Sequence, residues 1–366
     1  MKRTYRYRIY PTKAQESCLE NMFSMCRHLY NWNLEERITA YEEEKRTVTY
    51  LEQQNALPKL KQEKPWFKGV YSLSLQDVLR RLDKAYQKFF DKSGGFPKYK
   101  KRGQWTSITY SDHRKRPKEG MLTVSKLGQL KIVYHREIPE DASIKTLTLV
   151  KEGSKWFACF SLELPDQVEP KPMQSAAVGV DLGLESFFYT SDGEQEGAPR
   201  YLRSKLQDLS RLQRKLSRTE KRTVAYQKVL RALQKAYYKI RCLRQSFFYE
   251  KAYRLFSKYD IVFVEDLNIS KMGRVSAKNS RGLRRSIYDA AWGSFIGILR
   301  HVAEKLGRVV KAVNPAYTSA ACSSCGMMVP KGLSTRTHSC PECGFVANRD
   351  HNAAINILRL GLESLG

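Results

Sequence analysis

Two Cys-x2-Cys pairs near the C-terminal end constrain the fold more than any other feature of this sequence. A gap of 14 residues separates the pairs, and a glycine directly follows each one. A Cys-x2-Cys turn presents two sulfur atoms to one ion, and structural zinc takes four ligands in a tetrahedron, so the spacing predicts one zinc ribbon. Its role would be structural, because a closed site stabilises a segment that has almost no core. The predicted ligands are Cys322, Cys325, Cys340 and Cys343.

The other cysteines and the composition describe a folded chain in a reducing compartment. Four of the eight cysteines are scattered, which is not the pattern of a disulfide framework. With 366 residues, 42% of them hydrophobic, we expect two or three domains with real cores. No run of about 18 apolar residues occurs and the first residues lack an apolar core, so we expect neither a membrane span nor a secretory signal. His338 is an alternative zinc ligand that we interpret as a loop histidine.

The net charge of +28 lies in three segments of the chain. Residues 200–258 carry 18 Lys and Arg against three acids, residues 98–118 carry eight against one, and residues 271–285 carry six against none. These segments account for the whole excess, whereas ordinary solvated faces mix the two signs. A membrane surface fits less well, because the basic helices lack a free apolar face. The charge therefore predicts a partner rich in phosphates, namely nucleic acid.

The N-terminal half reads as a sheet interrupted by helices. Residues 2–10 alternate basic and apolar side chains, which predicts a strand. A helical region follows to about residue 91, and we expect Pro58 and Pro65 to break it into separate helices. Five short alternating runs between residues 106 and 164 predict a small β-barrel or sheet, to which the first strand would add.

The C-terminal half alternates strands with helices, which is typical of an α/β domain. Residues 165–175, rich in proline and polar side chains, predict a linker before it. Leucine stripes within residues 200–258 predict two long helices that pack together. The other predicted elements are the strands in AAVGVDLG, SFFYTSDG, DIVFVEDL and RVVKAVNP, and the helices in AAWGSFIGILRHVAEKLG and HNAAINILRLGLESL.

Three carboxylates stand where apolar elements begin or end. Asp181 closes the strand in GVDLG, Glu265 closes the strand in FVE, and Asp350 opens the last helix. Each acid alone is typical of a cap or a turn. Together they could converge on one pocket, where their repulsion would require a cation such as Mg²⁺. Two ions about 4 Å apart would then hydrolyse a phosphodiester. Spacing alone leaves both interpretations open, and Asp266 is the second choice beside Glu265.

Four motifs in order give a resemblance to a known family. GVDLG, VEDLN, the paired CxxCG turns and NRDHNAAINIL resemble the split RuvC nuclease domain of TnpB proteins, which insertion sequences encode. They resemble equally the miniature type V CRISPR effectors, and the similarity runs along the whole chain. The resemblance implies an α+β multidomain fold, in which an RNase H-like RuvC domain carries an inserted zinc ribbon and a β-barrel (wedge) domain carries an inserted helical recognition domain. The implied boundaries are 1–10 and 94–168 for the wedge, 11–93 for the recognition helices, 169–317 and 347–366 for the RuvC domain with its basic helical pair 200–258, and 318–346 for the ribbon.

Site residues follow from the same resemblance. It implies that Asp181, Glu265 and Asp350 are the catalytic acids and bind Mg²⁺, two ions being expected, while the four ribbon cysteines bind one Zn²⁺. Tyr50 and Gln76 match positions near the target DNA in the family, and glutamine can pair with adenine. Both residues also fit an ordinary helix surface. Asn348 stands where many relatives have aspartate.

The implied function is that of an RNA-guided DNA endonuclease of a transposable element. A transposon-derived guide RNA would locate a target beside a short motif, and the RuvC site would cleave it by two-metal hydrolysis. The expected partners are guide RNA and double- and single-stranded target DNA, with no membrane. We expect a monomer, with a dimer left open, in the cytoplasm of a bacterium or archaeon and associated with the nucleoid through DNA.

Several alternatives differ from this interpretation in chemistry or in context. A repressor of the same family that has lost cleavage would generally lack at least one of the three acids, and all are present here. A miniature type V CRISPR effector would share the chemistry but not the transposon. A transposase that performs strand transfer itself would need a separate nucleophile motif, which is not evident. A zinc-ribbon RNA-binding protein without catalysis would leave the acids unexplained.

Overall fold

A computed structural model describes most of the chain, which divides into the compact units Met1–Gln167 and Val168–Gly366. The predicted linker 165–175, apart from its first residue, and the basic segment 271–285 lie outside the described residues. Within the described part, no helix combines the length and apolar character needed to cross a membrane. The described residues are 2–165, 176–221, 223–267, 286, 289–332 and 335–365.

The first unit contains a six-stranded antiparallel sheet. Its strands are β1 (Lys2–Tyr10), β2 (Ser107–Tyr110), β3 (Met121–Val124), β4 (Gly128–Val133), β5 (Ser143–Glu152) and β6 (Lys155–Glu163). Their order is β2-β5-β6-β1-β4-β3, so the predicted first strand does add to the sheet, between β6 and β4. The outer strands β2 and β3 approach each other at one end, where the Tyr110 hydroxyl donates a hydrogen bond to the Ser125 carbonyl at 3.3 Å. A closed barrel remains a prediction, because the hydrogen-bonded ladder is an open sheet.

Three helices separate β1 from β2: α1 (Lys13–Glu44), α2 (Tyr50–Glu63) and α3 (Ser72–Phe90), with a short 3-10 turn at Pro65–Gly69. The prediction that Pro58 breaks the helical region was wrong, because it lies inside α2. Proline there removes only one backbone hydrogen bond. A capping box between Thr49 and Glu52, together with the burial of Leu57, stabilises the helix against that loss.

The second unit is built on a five-stranded sheet. Its strands are β7 (Ala177–Asp181), β8 (Ser186–Thr190), β9 (Gln195–Gly197), β10 (Ile261–Glu265) and β11 (Val309–Val313). Their order is β11-β10-β7-β8-β9, with β7, β10 and β11 parallel and β8 antiparallel to its neighbours. Four of these strands match the predicted ones. The fifth, β9, is only three residues long and has no apolar alternation that sequence analysis could detect.

In the part of this unit that the structure describes, four helices accompany the sheet: α4 (Leu206–Arg218), α5 (Val224–Lys258), α6 (Trp292–Leu306) and α7 (Arg349–Glu363). The leucine stripes of α4 and α5 meet as predicted, around the buried side chains of Leu209, Leu233 and Ile240. Further along α5, Phe248 stacks on Phe187 of β8, with 5.4 Å between the ring centroids. One helix pair therefore presents a basic surface at one end and joins the core of the sheet at the other.

Candidate functional site

Two of the three predicted acids end neighbouring parallel strands. Val180 of β7 lies opposite Val264 of β10, so Asp181 and Glu265 are the next residues along each strand at the same edge of the sheet. Neighbouring strands lie about 4.8 Å apart, and residues in equivalent positions project from the same face. The sheet register therefore brings the two carboxylates side by side.

Helix α7 brings the third acid to the same place. Gly179 of β7 touches the helix backbone so closely that a Cβ atom there would lie 2.1 Å from the Ala354 carbonyl oxygen. Asp181 is two residues, or about 6.6 Å, ahead of this contact along the strand, and Asp350 is four residues, or about 6 Å, back along the helix. A Cβ atom on Gly183 would lie 3.8 Å from Asp350 Oδ2, which places that carboxylate beside the end of β7. The three acids thus converge, as the sequence predicted they could.

The electrostatics of the site show carboxylates whose charges are only partly compensated. Burial raises the pKa of Asp181 well above its usual value, and the negative charges of Glu265 and Asp350 raise it further, while the charge of Arg349 and the Leu182 backbone N–H offset only part of the rise. Burial also raises the pKa of Glu265, while a hydrogen bond from Thr318 opposes that rise. Among the described residues, none of the three acids forms a salt bridge with Lys or Arg. A divalent cation would relieve this repulsion.

Asp350 is not the N-cap of α7, because Asn348 is the capping residue. Asn348 precedes α7 and accepts a hydrogen bond from the Asp350 backbone N–H at 2.8 Å. The Asp350 carboxylate is therefore not the N-cap group. Asp266, the second choice at β10, is exposed, and its backbone N–H donates to the Val313 carbonyl at 2.8 Å.

The three acids are not among the compact groups of metal-ligand side chains found in the described part of the chain. The four cysteines form such a group, with all ligand atoms within 4.8 Å of one another. Carboxylate oxygens are nevertheless the ligands that Mg²⁺ prefers.

The four cysteines form the cluster that their spacing predicts. The sulfur atoms of Cys322 and Cys343 lie 3.7 Å apart, and those of Cys325 and Cys340 lie 3.6 Å apart. A tetrahedron with Zn–S bonds of about 2.3 Å has sulfur atoms about 3.8 Å apart. The Phe345 backbone N–H and hydrogen bonds from the other cysteines lower the pKa of Cys343, whereas hydrogen bonds within the same cluster raise the pKa of Cys325. The cluster fits structural zinc.

Each cysteine pair forms the same tight turn. The Gly326 N–H donates to the Cys322 carbonyl at 2.9 Å, and the Gly344 N–H donates to the Cys340 carbonyl at 3.1 Å. Both glycines have positive φ, 81° and 69°, a conformation in which other residues are strained. The glycine after each pair is therefore part of the ligand turn.

His338 is not the loop histidine that we predicted. It lies on β12 (Thr337–Ser339), which pairs with β13 (Val346–Asn348) to form a hairpin within the ribbon. Its ring is fully buried, and Nδ1 contacts the Lys331 ammonium group. The side chain at this position is buried by the pairing of β12 with β13. The residues next to His338 in the sequence do not show that pairing. His338 is outside the cysteine cluster.

Sequence analysis missed two asparagines that attach the ribbon to α7. The side-chain amides of Asn352 and Asn356 both donate to the Ala321 carbonyl at 2.8 Å. Asn356 also donates to the Thr318 carbonyl at 2.9 Å, and the Ser323 N–H donates to the Asn352 side chain at 2.9 Å. Two asparagines four residues apart on an otherwise apolar helix face were the available indication, since buried amides need partners.

The predicted DNA-contacting residues lie on neighbouring helices of the first unit. Tyr50 begins α2, and its hydroxyl accepts a hydrogen bond from Arg80 Nε on α3 at 3.0 Å. Gln76 lies four residues before Arg80, on the same face of α3, and is half-buried. Their contact with DNA remains a prediction.

Helix α4 presents unpaired positive charge. Its basic side chains line a groove together with Leu206 and Ser210. None of these bases forms a salt bridge within the described chain. They are the exposed residues Arg211, Arg214, Lys215 and Arg218.

Comparisons with family models match three parts of the chain. A model described as a helix-turn-helix domain matches residues 1–46, which fold as β1 and the single helix α1. A model described as "Probable transposase" matches residues 159–276, and one described as "Cas12f1-like, TNB domain" matches residues 292–357.

Individual relatives are similar along the whole chain. A "Putative RNA-guided DNA endonuclease" of Streptomyces pristinaespiralis is 33% identical over 371 residues, covering 100% of this chain and 90% of the relative. The "Putative RNA-guided DNA endonuclease InsQ" of Escherichia coli K12 is 30% identical over 372 residues, covering 98% and 92%. The structure titled "Cryo-EM structure of the Cas12f1-sgRNA-target DNA complex" matches with a TM-score of 0.59 at 13% identity, covering 98% of both chains, and shows the mixed α+β fold. The resemblance found in the motifs is confirmed: this chain belongs to the TnpB family.

Proposed function

We propose that this protein is a Mg²⁺-dependent, RNA-guided DNA endonuclease of a transposable element. The observation that carries the proposal is the convergence of Asp181, Glu265 and Asp350 at one sheet edge, where no salt bridge to Lys or Arg is found among the described residues. In chain order the strands of this sheet run 3-2-1-4-5 with the second antiparallel, which supports the RNase H-like RuvC assignment. The names of the two full-length relatives support the activity.

The three acids are the proposed ligands of two Mg²⁺ ions. When bound, such ions would supply an activated water and stabilise the leaving oxygen of the phosphodiester. The protein contributes the fixed positions of the carboxylates, which come from the register of β7 and β10 and from the close packing of α7. Their crowding before metal binds favours the bound state, because the ions offset repulsion among the acids.

The basic surfaces are the proposed contacts for nucleic acid. Helices α4 and α5 would hold the guide–target heteroduplex by its phosphates, with no need to read sequence. Residues 98–118 and the six-stranded sheet would hold the guide RNA, because that segment carries the second basic block. The recognition helices, with Tyr50 and Gln76, would contact double-stranded DNA beside the target.

Purification with bound nucleic acid tests this function. We expect the protein to retain an RNA derived from the end of its transposon, and sequencing that RNA would identify the guide. DNA that carries the complementary target beside a randomised flank should then be cleaved only with Mg²⁺ and a matching guide. Cleavage that ignores complementarity, or no cleavage with any flank, would contradict the proposal.

Replacing Cys322 with serine tests the zinc ribbon. We expect the metal content to fall from about one Zn²⁺ per chain to none, because a four-ligand site loses a buried thiolate. Elemental analysis of purified protein measures this directly. Cys242→Ser is the matched control, since Cys242 lies on α5 outside the cluster and should leave the zinc content unchanged. A zinc-free wild-type protein, or a Cys322→Ser variant that retains one Zn²⁺, would refute the site.

A further inference from the structure

Thr318, the first residue of the predicted ribbon 318–346, connects that segment to the proposed nuclease site. Its side chain is buried, with 3% of the residue exposed. The hydroxyl group donates a hydrogen bond to Glu265 Oε1, and the Pro315 carbonyl lies 3.2 Å away as a second acceptor. A hydroxyl has one proton, and a carboxylate is the stronger acceptor. The Thr318 hydroxyl therefore holds one oxygen of Glu265.

The backbone of Thr318 is held by the helix that carries Asp350. The Asn356 amide on α7 donates one proton to the Thr318 carbonyl and the other to the Ala321 carbonyl, at 2.9 and 2.8 Å. Asn356 is 1% exposed, so these bonds lie in the interior, where their loss would be costly. Thr318 thus connects the end of β10 with α7, the two elements that supply Glu265 and Asp350.

The first zinc-ligand turn begins only a few residues after Thr318. Ala321, which accepts bonds from both Asn352 and Asn356, directly precedes Cys322. Cys322 is fully buried, and its backbone N–H donates to the Met327 carbonyl at 2.9 Å. An ion bound to the four cysteines would therefore fix Cys322, at the C-terminal end of the segment 318–322. Helix α7 holds the same segment through the carbonyl groups of Thr318 and Ala321.

We infer that Thr318 is a positioning residue that orients the Glu265 carboxylate for metal binding, and that the zinc ribbon is the support that holds Thr318 in place. This inference rests on the proposed function. Hydrogen bonds to ligating carboxylates commonly affect metal affinity by about 10–100-fold. The ribbon would then do more than stabilise residues 318–346, because it would also keep the Glu265 carboxylate in position.

Substitutions at Thr318 separate positioning from simple stability. Thr318→Val keeps the shape and removes the hydroxyl, while Thr318→Ser keeps the hydroxyl. We expect Thr318→Val to raise the Mg²⁺ concentration for half-maximal cleavage about tenfold or more and to reduce the Mg²⁺-induced rise in melting temperature. Thr318→Ser should keep the Mg²⁺ requirement and the Mg²⁺-induced rise in melting temperature near their wild-type values. The zinc content should be unchanged in each variant. If valine prevents folding, Thr318→Ala removes the same hydroxyl with less bulk.

A buried threonine in the other unit supplies the control. Thr109 is 9% exposed, and its hydroxyl contacts Thr148 and Arg81. Thr109→Val should lower the melting temperature without changing the Mg²⁺ requirement. The ribbon's part is tested by Cys322→Ser, which should weaken the Mg²⁺-induced thermal shift as Thr318→Val does.

The possible failures are distinguishable. A wild-type protein that neither cleaves nor responds to Mg²⁺ would overturn the proposed function and this inference with it. A responsive wild type with an equally responsive Thr318→Val variant would overturn the inference alone. An equal defect in Thr318→Ser would also overturn it, because the hydroxyl would then not be the active feature. A normal Mg²⁺ response in zinc-free Cys322→Ser would remove the supporting role of the ribbon.

Discussion

Replacing Asp181 with asparagine is expected to abolish Mg²⁺-dependent cleavage and to stabilise the metal-free protein. Loss of one of the carboxylates that would hold Mg²⁺ should lower the rate by at least about 10³-fold, which corresponds to about 4 kcal/mol. The gain in stability follows from the site itself, because a neutral amide of the same shape removes a charge held beside Glu265 and Asp350. Cleavage assays and thermal melts in EDTA measure the two effects.

The contribution of Asp181 to the stability of the metal-free protein should change with pH in a definite direction. Because burial and neighbouring acids raise the pKa of Asp181, the folded protein holds that proton more tightly than the unfolded chain does. The contribution of Asp181 to stability therefore decreases as pH rises from about 3.9, the unfolded pKa, towards the raised folded value. Above the folded value the destabilisation is complete and constant. The Asp181→Asn variant should lack this decrease, and saturating Mg²⁺ should reduce it in the wild type.

Asp266→Asn is the matched control for charge. Asp266 follows Glu265 directly but is exposed, so the same change in charge should alter cleavage by only about twofold, in line with surface effects of about 0.5 kcal/mol. Its metal-free melting temperature should stay near that of the wild type. Cleavage by Asp181→Asn at the wild-type rate would refute the assignment. If Asp181→Asn melted below the wild type without metal, then repulsion of the Asp181 carboxylate by Glu265 and Asp350 would not be destabilising the protein.

The ends of the apolar runs made the candidate site predictable from sequence. GVDLG and FVE each place an acid after a buried strand, and the C-terminal ends of parallel strands meet at one edge of a sheet. Asp350 was predictable because its helix begins within NRDHNAA. The cysteine turns needed even less context, since ligand spacing and the following glycine are local properties. In each case the information lies within a few consecutive residues.

Contacts between distant segments were not predictable in the same way. Thr318 lies 53 residues from Glu265, and nothing in NPAYTSAAC shows that its hydroxyl reaches that carboxylate. Pro58 was misread because local breaking rules do not include the burial of Leu57 beside it. His338 was misread because the hairpin that buries it forms only through pairing with residues 346–348. These features depend on tertiary packing, which a one-dimensional pattern does not contain.

Replacing Gly179 with alanine is expected to disrupt the second unit and the site together. The new Cβ atom would lie 2.1 Å from the Ala354 carbonyl oxygen and 2.5 Å from the Leu358 backbone nitrogen, and neither backbone atom can rotate away. Because α7 would have to move off the sheet, we expect a cost of at least about 3 kcal/mol, at the upper end for overpacked cores. This corresponds to a fall in melting temperature of about 6–12 °C. Cleavage should also decrease, since the same helix carries Asp350.

Gly297→Ala is the control that separates the effect of the contact between β7 and α7 from the effect of alanine itself. Gly297 is exposed on α6, and among the described residues no atom outside the neighbouring helix backbone lies within 4 Å of its Cβ position. Alanine there should stabilise the helix by up to about 1 kcal/mol and leave cleavage unchanged. If Gly179→Ala melted at the temperature of Gly297→Ala, the close approach of α7 to β7 would be refuted. The packing that brings Asp350 to Asp181 would then need another explanation, because the position of Asp350 depends on how α7 packs against β7.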